Sequence, residues 1–242
     1  MRPARPGCLN NTFGQRPRRA PNRRDCILSG AALLLAGLSG PAVQAQPQGG
    51  AGRPLLVLGD SLSAEYGLKR GSGWVALLEA RLATELPGTQ VINASVSGDT
   101  TSGGRSRLPA LLAKHRPSHV VIELGGNDAL RGLPLQLTEA NLRAMAQASK
   151  AAGAKVLIAG MQMPPNYGPA YARQFSDLFA NVAKSEGAAL VPFLLAGVAD
   201  DADPLHWFQP DRIHPNEAAH PRILATVWPV LLPWLKKGGA KG

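Results

Sequence analysis

An apolar run gives way to a turn that contains glycine and serine in the stretch Val57-Leu58-Gly59-Asp60-Ser61-Leu62-Ser63. The run Pro54 to Leu58 is short and continuously apolar, as expected for a strand that is buried on both faces. Strands of this kind belong to parallel sheets with helices on both sides, and ligands bind such sheets at the carboxyl ends of the strands. Ser61 therefore follows the first predicted strand at a point where its hydroxyl can be exposed.

Short apolar runs alternate with longer stretches of helical spacing through the rest of the chain. Further strands are predicted at Gln90–Asn93, His119–Leu124, Lys155–Gly160 and Ala189–Pro192. Helices are predicted at Gly73–Leu86, Arg107–His115, Thr138–Ala152, Ala170–Gly187 and Asn216–Lys237. This alternation predicts an α/β fold in which a five-stranded parallel sheet is covered on both faces by right-handed crossover helices.

The length and composition of the chain indicate one globular domain. Of the 242 residues, 45% are hydrophobic and only 17% are charged, which is enough to build one large core. We place this domain at residues 54–237. Residues 46–53, rich in Gly and Gln, are predicted to be a disordered lead-in, and residues 238–242 a flexible tail.

Residues 1–45 have the features of a bacterial secretory signal peptide. Seven arginines precede the apolar stretch Ile27–Leu38, and Ala42-Val43-Gln44-Ala45 offers small residues for a cleavage site. Cleavage after Ala45 would release the protein to the periplasm or the medium. An uncleaved anchor is the alternative. The pair Arg23-Arg24 only faintly resembles a twin-arginine signal.

The predicted signal peptide changes the global charge and the cysteine count. The chain carries a formal charge of +10, of which residues 1–45 contribute +6, so the remainder carries +4. A nucleic-acid partner therefore loses most of its support. Cys8 and Cys26 both lie in the leader, so the domain has no disulfide, no cysteine nucleophile and no cysteine metal site. We expect no metal and no cofactor.

Two further segments follow predicted strands and carry polar groups. Gly98 lies in the stretch 93–101 after the second strand, and Asn127 lies in Glu123-Leu124-Gly125-Gly126-Asn127-Asp128 after the third. The carboxyl ends of parallel strands meet at one edge of the sheet, so these residues and Ser61 are predicted to converge.

The segment Asp211-Arg212-Ile213-His214-Pro215 supplies the groups that a serine nucleophile needs. A serine hydroxyl reacts at neutral pH only when a base accepts its proton, and that base needs an acceptor on its second ring nitrogen. His214 would be the base and Asp211 its orienting carboxylate. The backbone N–H groups of Ser61 and Gly98 and the amide of Asn127 would form the oxyanion hole.

Together these blocks resemble the SGNH or GDSL hydrolase family, in particular its bacterial periplasmic thioesterase I, lysophospholipase and arylesterase subgroup. The resemblance covers the chain from about Leu55 to its end. It implies a flavodoxin-like three-layer α/β/α sandwich and metal-free hydrolysis of acyl esters or thioesters. It also implies that Ser61, Asp211 and His214 are catalytic and that Ser61, Gly98 and Asn127 hold the oxyanion.

The resemblance also suggests where a substrate binds and where the chain departs from the family. Gly125–Leu135 is similar to a mobile substrate loop, and Met161–Tyr167 to an apolar wall of an acyl site. The implied substrate-binding residues are Leu130, Leu133, Met163, Pro164 and Tyr167. Arg212 stands where the family usually has glycine. His220-Pro221 is expected to kink or delay the last helix.

Each motif also has a structural interpretation when it is taken alone. The Gly59-Asp60-Ser61 turn, Asp211 and the glycines could serve the backbone only, and the leucines after Gly126 could be core rather than lid. His115, His119, His206 and His220 have no carboxylate at a useful spacing and are predicted to be structural. The occurrence of four such blocks in one chain favours a functional interpretation over a wholly structural one.

Three functions from different classes follow. The first is a serine esterase that acts on lysophospholipids, acyl thioesters or aryl esters as small-molecule substrates. The second is a carbohydrate O-deacetylase of the same fold, and the third is a non-catalytic binding protein of the cell envelope. We expect a monomer with at most transient contact with a membrane surface.

Overall fold

A computed structural model describes residues 54–163 and 165–237. The predicted signal peptide, lead-in and tail, together with Pro164, lie outside the described residues. Within the described part, no helix combines the length and apolar character needed to cross a bilayer.

Five parallel strands form one sheet. They are β1 (Leu55–Gly59), β2 (Val91–Asn93), β3 (His119–Glu123), β4 (Lys155–Ala159) and β5 (Ala189–Val191). Their order across the sheet is β2-β1-β3-β4-β5, and every neighbouring pair is parallel. The predicted five-stranded parallel sheet is therefore confirmed. The chain passes outward from β1 to β2 and then returns to β3 on the other side of β1, which makes β1 the topological switch point.

The described residues contain six α-helices. They are α1 (Trp74–Glu85), α2 (Thr101–His115), α3 (Gly126–Leu130), α4 (Leu135–Ala151), α5 (Pro169–Glu186) and α6 (His220–Lys236). Short 3-10 turns lie at Pro165–Tyr167, Pro204–Trp207 and Glu217–Ala219. Helices α1 and α6 pack together on one face, and α2, α4 and α5 pack together on the other. This is the expected three-layer α/β/α sandwich.

The alternation of side chains along β1 explains why the sheet has a core on each face. Leu55 and Val57 pack with α1 and α6, whereas Leu56 and Leu58 pack with α2, α4 and α5. All five residues of β1 are buried, as expected for a central strand. An unbroken apolar run was therefore the correct signal for the centre of the sheet.

Two predicted helix starts are wrong for physical reasons. Helix α2 begins at Thr101 rather than at Arg107, because the Thr100 side chain accepts the Gly103 N–H as an N-cap before the apolar spacing begins at Leu108. Helix α6 begins at His220 rather than at Asn216. The predicted delay is observed, and Pro221 occupies the first turn, where proline is tolerated.

The predicted irregular substrate loop is largely helical. Gly126–Leu130 forms α3, and Leu135 is already the first residue of α4, so only residues 131–134 connect the two helices. The leucines lack one helical period because Leu130 ends α3, Leu133 lies in the connection and Leu135 begins α4. Leu130 is 45% exposed, whereas Leu133 and Leu135 are partly buried, with Leu135 packed against the core that α2, α4 and α5 form.

Candidate active site

Ser61, His214 and Asp211 form a continuous chain of hydrogen bonds. The distance between Ser61 Oγ and His214 Nε2 is 2.9 Å, across 153 residues of sequence. On the other side of the ring, His214 Nδ1 lies 2.6 Å from Asp211 Oδ2. The predicted proximity of the three side chains is therefore observed.

The turn that carries His214 is built around the carboxylate of Asp211. Its Oδ1 accepts the backbone N–H groups of Ile213 and His214, each at 3.0 Å, which leaves Oδ2 for the imidazole. Arg212 takes a left-handed conformation with φ 58° to close this turn. Pro215 then pairs with Phe208 in a β-bridge, which joins the two ends of the turn. The three-residue spacing of the motif thus folds one carboxylate onto both the backbone and the ring.

Hydrogen bonds between distant segments hold this turn against the loop after β1. The Gln209 side-chain amide donates to the Tyr66 carbonyl at 2.9 Å, and the Trp74 N–H donates to Nδ1 of buried His220 at 3.0 Å. The Tyr66 ring also lies against His214, with 4.4 Å between the ring centroids. The position of His214 relative to Ser61 is therefore fixed from both sides of the turn.

The hydrogen bonds of Asp211 keep it ionised. Partial burial alone would raise its pKa, but the bonds from the backbone and ring of His214 and from the Ile213 N–H outweigh it and lower the pKa to about 2. An ionised carboxylate on Nδ1 requires that this nitrogen carry the proton. Nε2 is then the acceptor that faces the Ser61 hydroxyl.

The oxyanion candidates lie at the carboxyl ends of β1, β2 and β3, on the two sides of the switch point. Ser61 is partly exposed in the turn after β1. Gly98 has φ 79°, a conformation that favours glycine, and its carbonyl accepts from Arg131 at 2.7 Å. Asn127 is in the first turn of α3, and its Nδ2 donates to Asp60 Oδ2 at 3.0 Å.

Buried Asp128 anchors the segment that carries Asn127. Its carboxylate accepts the backbone N–H of Thr101 at 2.8 Å as well as the hydroxyls of Thr101 and Thr138. These contacts join α3 to the N-termini of α2 and α4. The amide of Asn127 is therefore held by the loop after β3 and by two helices.

A buried polar cluster, which we call the floor, lies beneath Ser61 and comprises Asp60, Ser63, Trp74, Glu123 and His220. Glu123 Oε2 accepts the Asp60 N–H at 3.2 Å and the Ser63 hydroxyl at 2.7 Å, and the Trp74 indole donates to Ser63. The position before Asp60 must be glycine, because a Cβ on Gly59 would lie 2.5 Å from Glu123 Oε2.

Burial shifts the ionisation of the floor. It raises the pKa of Asp60 to about 6, against the opposing hydrogen bonds from Leu62 and Asn127. Burial also raises the pKa of Glu123, and the neighbouring Asp60 carboxylate adds to that effect. Burial lowers the pKa of His220. The floor therefore favours a protonated Glu123 and a neutral His220.

Sequence reasoning missed the roles of Asp60 and Glu123. The available signal was a carboxylate at the end of an otherwise unbroken apolar strand, because a buried charge of this kind is seldom accidental. His220 was predicted to be structural and is buried, and so is His119, where burial and then Lys155 lower the pKa to about 4.

The predicted substrate-binding residues differ in exposure. Leu130 and Tyr167 are 45% and 39% exposed, whereas Met163 is partly buried and packs against the core beneath α4 and α5. Pro164 lies outside the described residues. Met163 therefore packs in the core as well as belonging to the predicted apolar wall of the acyl site.

Large apolar side chains that are exposed in the described residues share one location, which we call the apolar rim. Each lies in a connection that leaves the carboxyl end of a strand, at or before the first turn of the next long helix. They are Tyr66, Val96, Leu130, Leu137, Tyr167, Leu205 and Ile213. The edge of the sheet that carries Ser61 is thus also the edge with exposed apolar surface.

The described part of the chain contains no group of three His, Cys, Asp or Glu side chains arranged to hold a metal ion. In the acidic stretch 200–203, Asp201 pairs with Arg222 at 3.0 Å and Asp200 accepts the Gly197 N–H. The carboxylates of Asp200 and Asp201 therefore have partners within the protein.

Comparison with known proteins gives consistent matches along this domain. The model of the GDSL-like lipase/acylhydrolase family matches residues 57–222. Esterase TesA from Pseudomonas aeruginosa is 54% identical over 205 residues, which cover 84% of this chain and 99% of that protein. Thioesterase 1/protease 1/lysophospholipase L1 from Escherichia coli K12 is 45% identical over 169 residues, which cover 70% and 78%.

A solved structure is also similar to this chain in fold. The psychrotrophic esterase EstA from Pseudoalteromonas, inhibited by monoethylphosphonate, has a TM-score of 0.71 and 39% sequence identity. The match covers 76% of this chain and all of that chain.

Proposed function

The chain belongs to the GDSL-like lipase/acylhydrolase family, and from this premise we propose that it hydrolyses acyl esters and thioesters through an acyl intermediate on Ser61. The observation that carries the proposal is the hydrogen-bonded chain Asp211–His214–Ser61, with distances of 2.6 and 2.9 Å. The family membership gives the reaction class, and the geometry supports the assignment of each residue.

In the first half of the reaction, Ser61 Oγ attacks the acyl carbon and His214 Nε2 takes the hydroxyl proton. Asp211 stabilises the resulting imidazolium and keeps the ring in place. The bond between the acyl carbon and the leaving oxygen or sulfur breaks, and His214 returns the proton to the departing alcohol or thiol. An acyl ester on Ser61 remains.

In the second half, a water molecule takes the place of the leaving group. His214 accepts a proton from the water as its oxygen attacks the acyl carbon, and then returns a proton to Ser61 Oγ. The carboxylic acid leaves and the free enzyme is restored. Each step uses the same base, so the hydrogen bond between Asp211 and His214 supports both halves.

The oxyanion of both tetrahedral intermediates would be held by the N–H groups of Ser61 and Gly98 and by the amide of Asn127. Asp60 accepts one proton of the Asn127 amide, which leaves the second proton for the substrate oxygen. Donors fixed in advance lower the barrier because they need no reorganisation as the charge develops.

The apolar rim supports a substrate with an acyl chain. Leu130 follows Asn127 in α3, and Ile213 precedes His214, so exposed apolar side chains adjoin both sides of the site. We therefore place aryl esters, acyl thioesters and lysophospholipids before the acetyl groups of a carbohydrate. The complete triad geometry disfavours a binding protein without catalysis.

We also propose that the enzyme is exported and acts in the periplasm as a monomer, with residues 54–237 as the catalytic domain. The basic and apolar pattern of residues 1–45 and the small residues before Gln46 support export. Comparison of the mass and N-terminal residue of the protein in periplasmic and cytoplasmic fractions tests this proposal. An intact Met1 terminus in the mature protein would contradict it.

Ser61→Ala tests the nucleophile. We expect the variant to lose hydrolysis of a p-nitrophenyl acyl ester by roughly 10⁴-fold or more, while it unfolds cooperatively like the wild type. Wild-type protein should gain the mass of one phosphonyl group when it is treated with an organophosphonate, and Ser61→Ala should not. Turnover of the purified variant at the wild-type rate would refute the assignment.

A further inference from the structure

We propose that Arg107 is a positioning residue that sets the distance between the nucleophile Ser61 and the oxyanion donor Gly98, an inference that rests on the proposed function. Arg107 is in the second turn of α2, and its side chain is 25% exposed. It is not part of the triad or of the oxyanion hole, and it faces the site from the side of the helix layer.

The guanidinium makes three contacts with the strand ends that carry the site. Its Nε donates to Asp99 Oδ2 at 2.7 Å, in the residue after Gly98. Its Nη2 donates to the carbonyl of Gly59 at 3.2 Å, at the end of β1 and two residues before Ser61. Its Nη1 donates to the carbonyl of Ala94, the first residue after β2.

Gly59 is the last residue of β1, whereas Ala94 and Asp99 belong to the connection from β2 to α2. The connection after β1 carries Ser61, and the connection after β2 carries Gly98. Backbone pairing between the two strands ends with the bond from the Val96 N–H to the Gly59 carbonyl. Beyond that point, the contacts of Arg107 with Asp99 and Gly59 hold the Gly98 loop at a fixed distance from Ser61.

The contacts require an arginine rather than any cation. A guanidinium is a planar fork with donors in fixed directions, so one side chain can reach a carboxylate and two carbonyls at once. A lysine ammonium could pair with Asp99 but could not satisfy all three acceptors with the same geometry. The side chain of Asp99 is only 12% exposed, so its carboxylate has little water to replace a lost cation.

Arg107 differs from a residue that only attaches a helix to the sheet. A structural role would lower stability when it is removed and would leave the chemistry of the folded fraction unchanged. A positioning role predicts a fall in kcat with little change in KM, because the Gly98 N–H acts on charge that develops in the transition state. Displacement of a reacting group by about 1 Å can cost roughly 100-fold in rate.

The experiment compares Arg107→Lys with Arg143→Lys in the mature protein. Arg143 is a matched control because its side chain is 35% exposed and also has three partners, Glu139 within α4 and Ser185 and Glu186 in α5. For Arg107→Lys we expect kcat for a p-nitrophenyl ester to fall about tenfold, with KM within threefold of wild type. The rate of phosphonylation of Ser61 should fall by a similar factor. Arg143→Lys should keep wild-type kinetics.

Arg107→Ala should lower kcat further, by roughly 100-fold relative to wild type. If the alanine variant does not fold, the kcat of Arg107→Lys alone tests the inference. Wild-type kcat in a folded Arg107→Lys protein would overturn the inference. A loss of activity that follows only the unfolded fraction, or an equal loss in Arg143→Lys, would overturn it as well. A wild-type protein that neither turns over esters nor reacts with phosphonate would instead refute the proposed function.

Discussion

Two carboxylates near Ser61, Asp211 in the exposed turn and Asp60 in the buried floor, are held in opposite ways. Asp211 accepts N–H groups from its own turn and from the His214 ring, which lower its pKa to about 2 despite partial burial. Asp60 is buried, and loss of water raises its pKa to about 6. The comparison shows that environment, rather than residue type, separates the two carboxylates. Asp211 stays charged down to about pH 2, whereas Asp60, which holds Asn127, changes its charge at weakly acidic pH.

Removal of the charge on Asp211 should lower kcat more than the same change at Asp60. Asp211→Asn keeps the shape of the side chain but lets the amide donate to His214 Nδ1, so the ring takes the wrong tautomer and Nε2 can no longer accept the serine proton. We expect kcat to fall roughly 10³- to 10⁴-fold, measured with a p-nitrophenyl ester under saturating substrate. A loss smaller than tenfold would show that Asp211 does not orient the base.

The same substitution in the floor should have a smaller effect. In Asp60→Asn, one of the two carboxylate oxygens becomes an NH₂ group, which must face either the Leu62 N–H or the Asn127 amide, both of which are donors. We expect kcat to fall about tenfold through a misplaced oxyanion donor, with KM little changed. A fall in kcat as large as that of Asp211→Asn would mean that the comparison between the two carboxylates is wrong.

The floor and the turn should also respond to pH with opposite signs. A folded pKa of about 6 for Asp60, above its unfolded value, means that the folded state binds more protons between roughly pH 4 and 6. This group therefore adds stability as the pH falls through that range, by at most on the order of 3 kcal/mol. Asp211 has a lowered pKa, so its contribution is present above pH 4 and is lost only towards pH 2.

Urea unfolding of the Ser61→Ala protein at pH 5 and pH 7 measures this effect without turnover. The gain in the free energy of unfolding at pH 5 should shrink in a protein that also carries Asp60→Asn. If the free energy of unfolding changed equally between pH 7 and pH 5 with and without Asp60→Asn, Asp60 would not be the source of the pH dependence.

The smallest effect is expected at Arg212, within the turn itself. Its left-handed φ of 58° is strained for a residue with a Cβ, and glycine would relieve that strain while it increases the entropy of the unfolded chain. We expect Arg212→Gly to change the free energy of unfolding by less than about 1 kcal/mol and kcat by less than threefold. A large loss of activity would show that the arginine side chain contributes to the site.

Most of the architecture, and the proximity of Ser61, His214 and Asp211, could be predicted from the sequence. Unbroken apolar runs located all five strands, and the rule for strand ends brought Ser61, Gly98 and Asn127 to one edge. The start of α2 and the helical state of residues 126–130 could not be predicted by periodicity, because an N-cap at Thr100 and the buried bonds of Asp128 determine them. These contacts join segments that are distant in sequence or that lack an apolar pattern.

The supporting side chains were harder to predict than the reactive ones. Ser61, His214 and Asp211 belong to a known chemical combination, so their residue types were informative. Arg107 and Glu123 act through contacts with backbone groups of other segments, and residue type alone does not reveal such partners. In this molecule the sequence was informative about chemistry and much less so about what holds the chemistry in place.

The hydroxyl of Ser61 and the imidazole of His214 are separated by 153 residues, with one group shortly after the first strand and the other just before the last helix. During synthesis the serine therefore emerges long before its base. A nascent or truncated polypeptide that lacks the final segment has no means to activate the hydroxyl. The hydrogen bond between Ser61 and His214 can therefore form only after the chain has been made as far as the segment before α6 and has folded back onto β1.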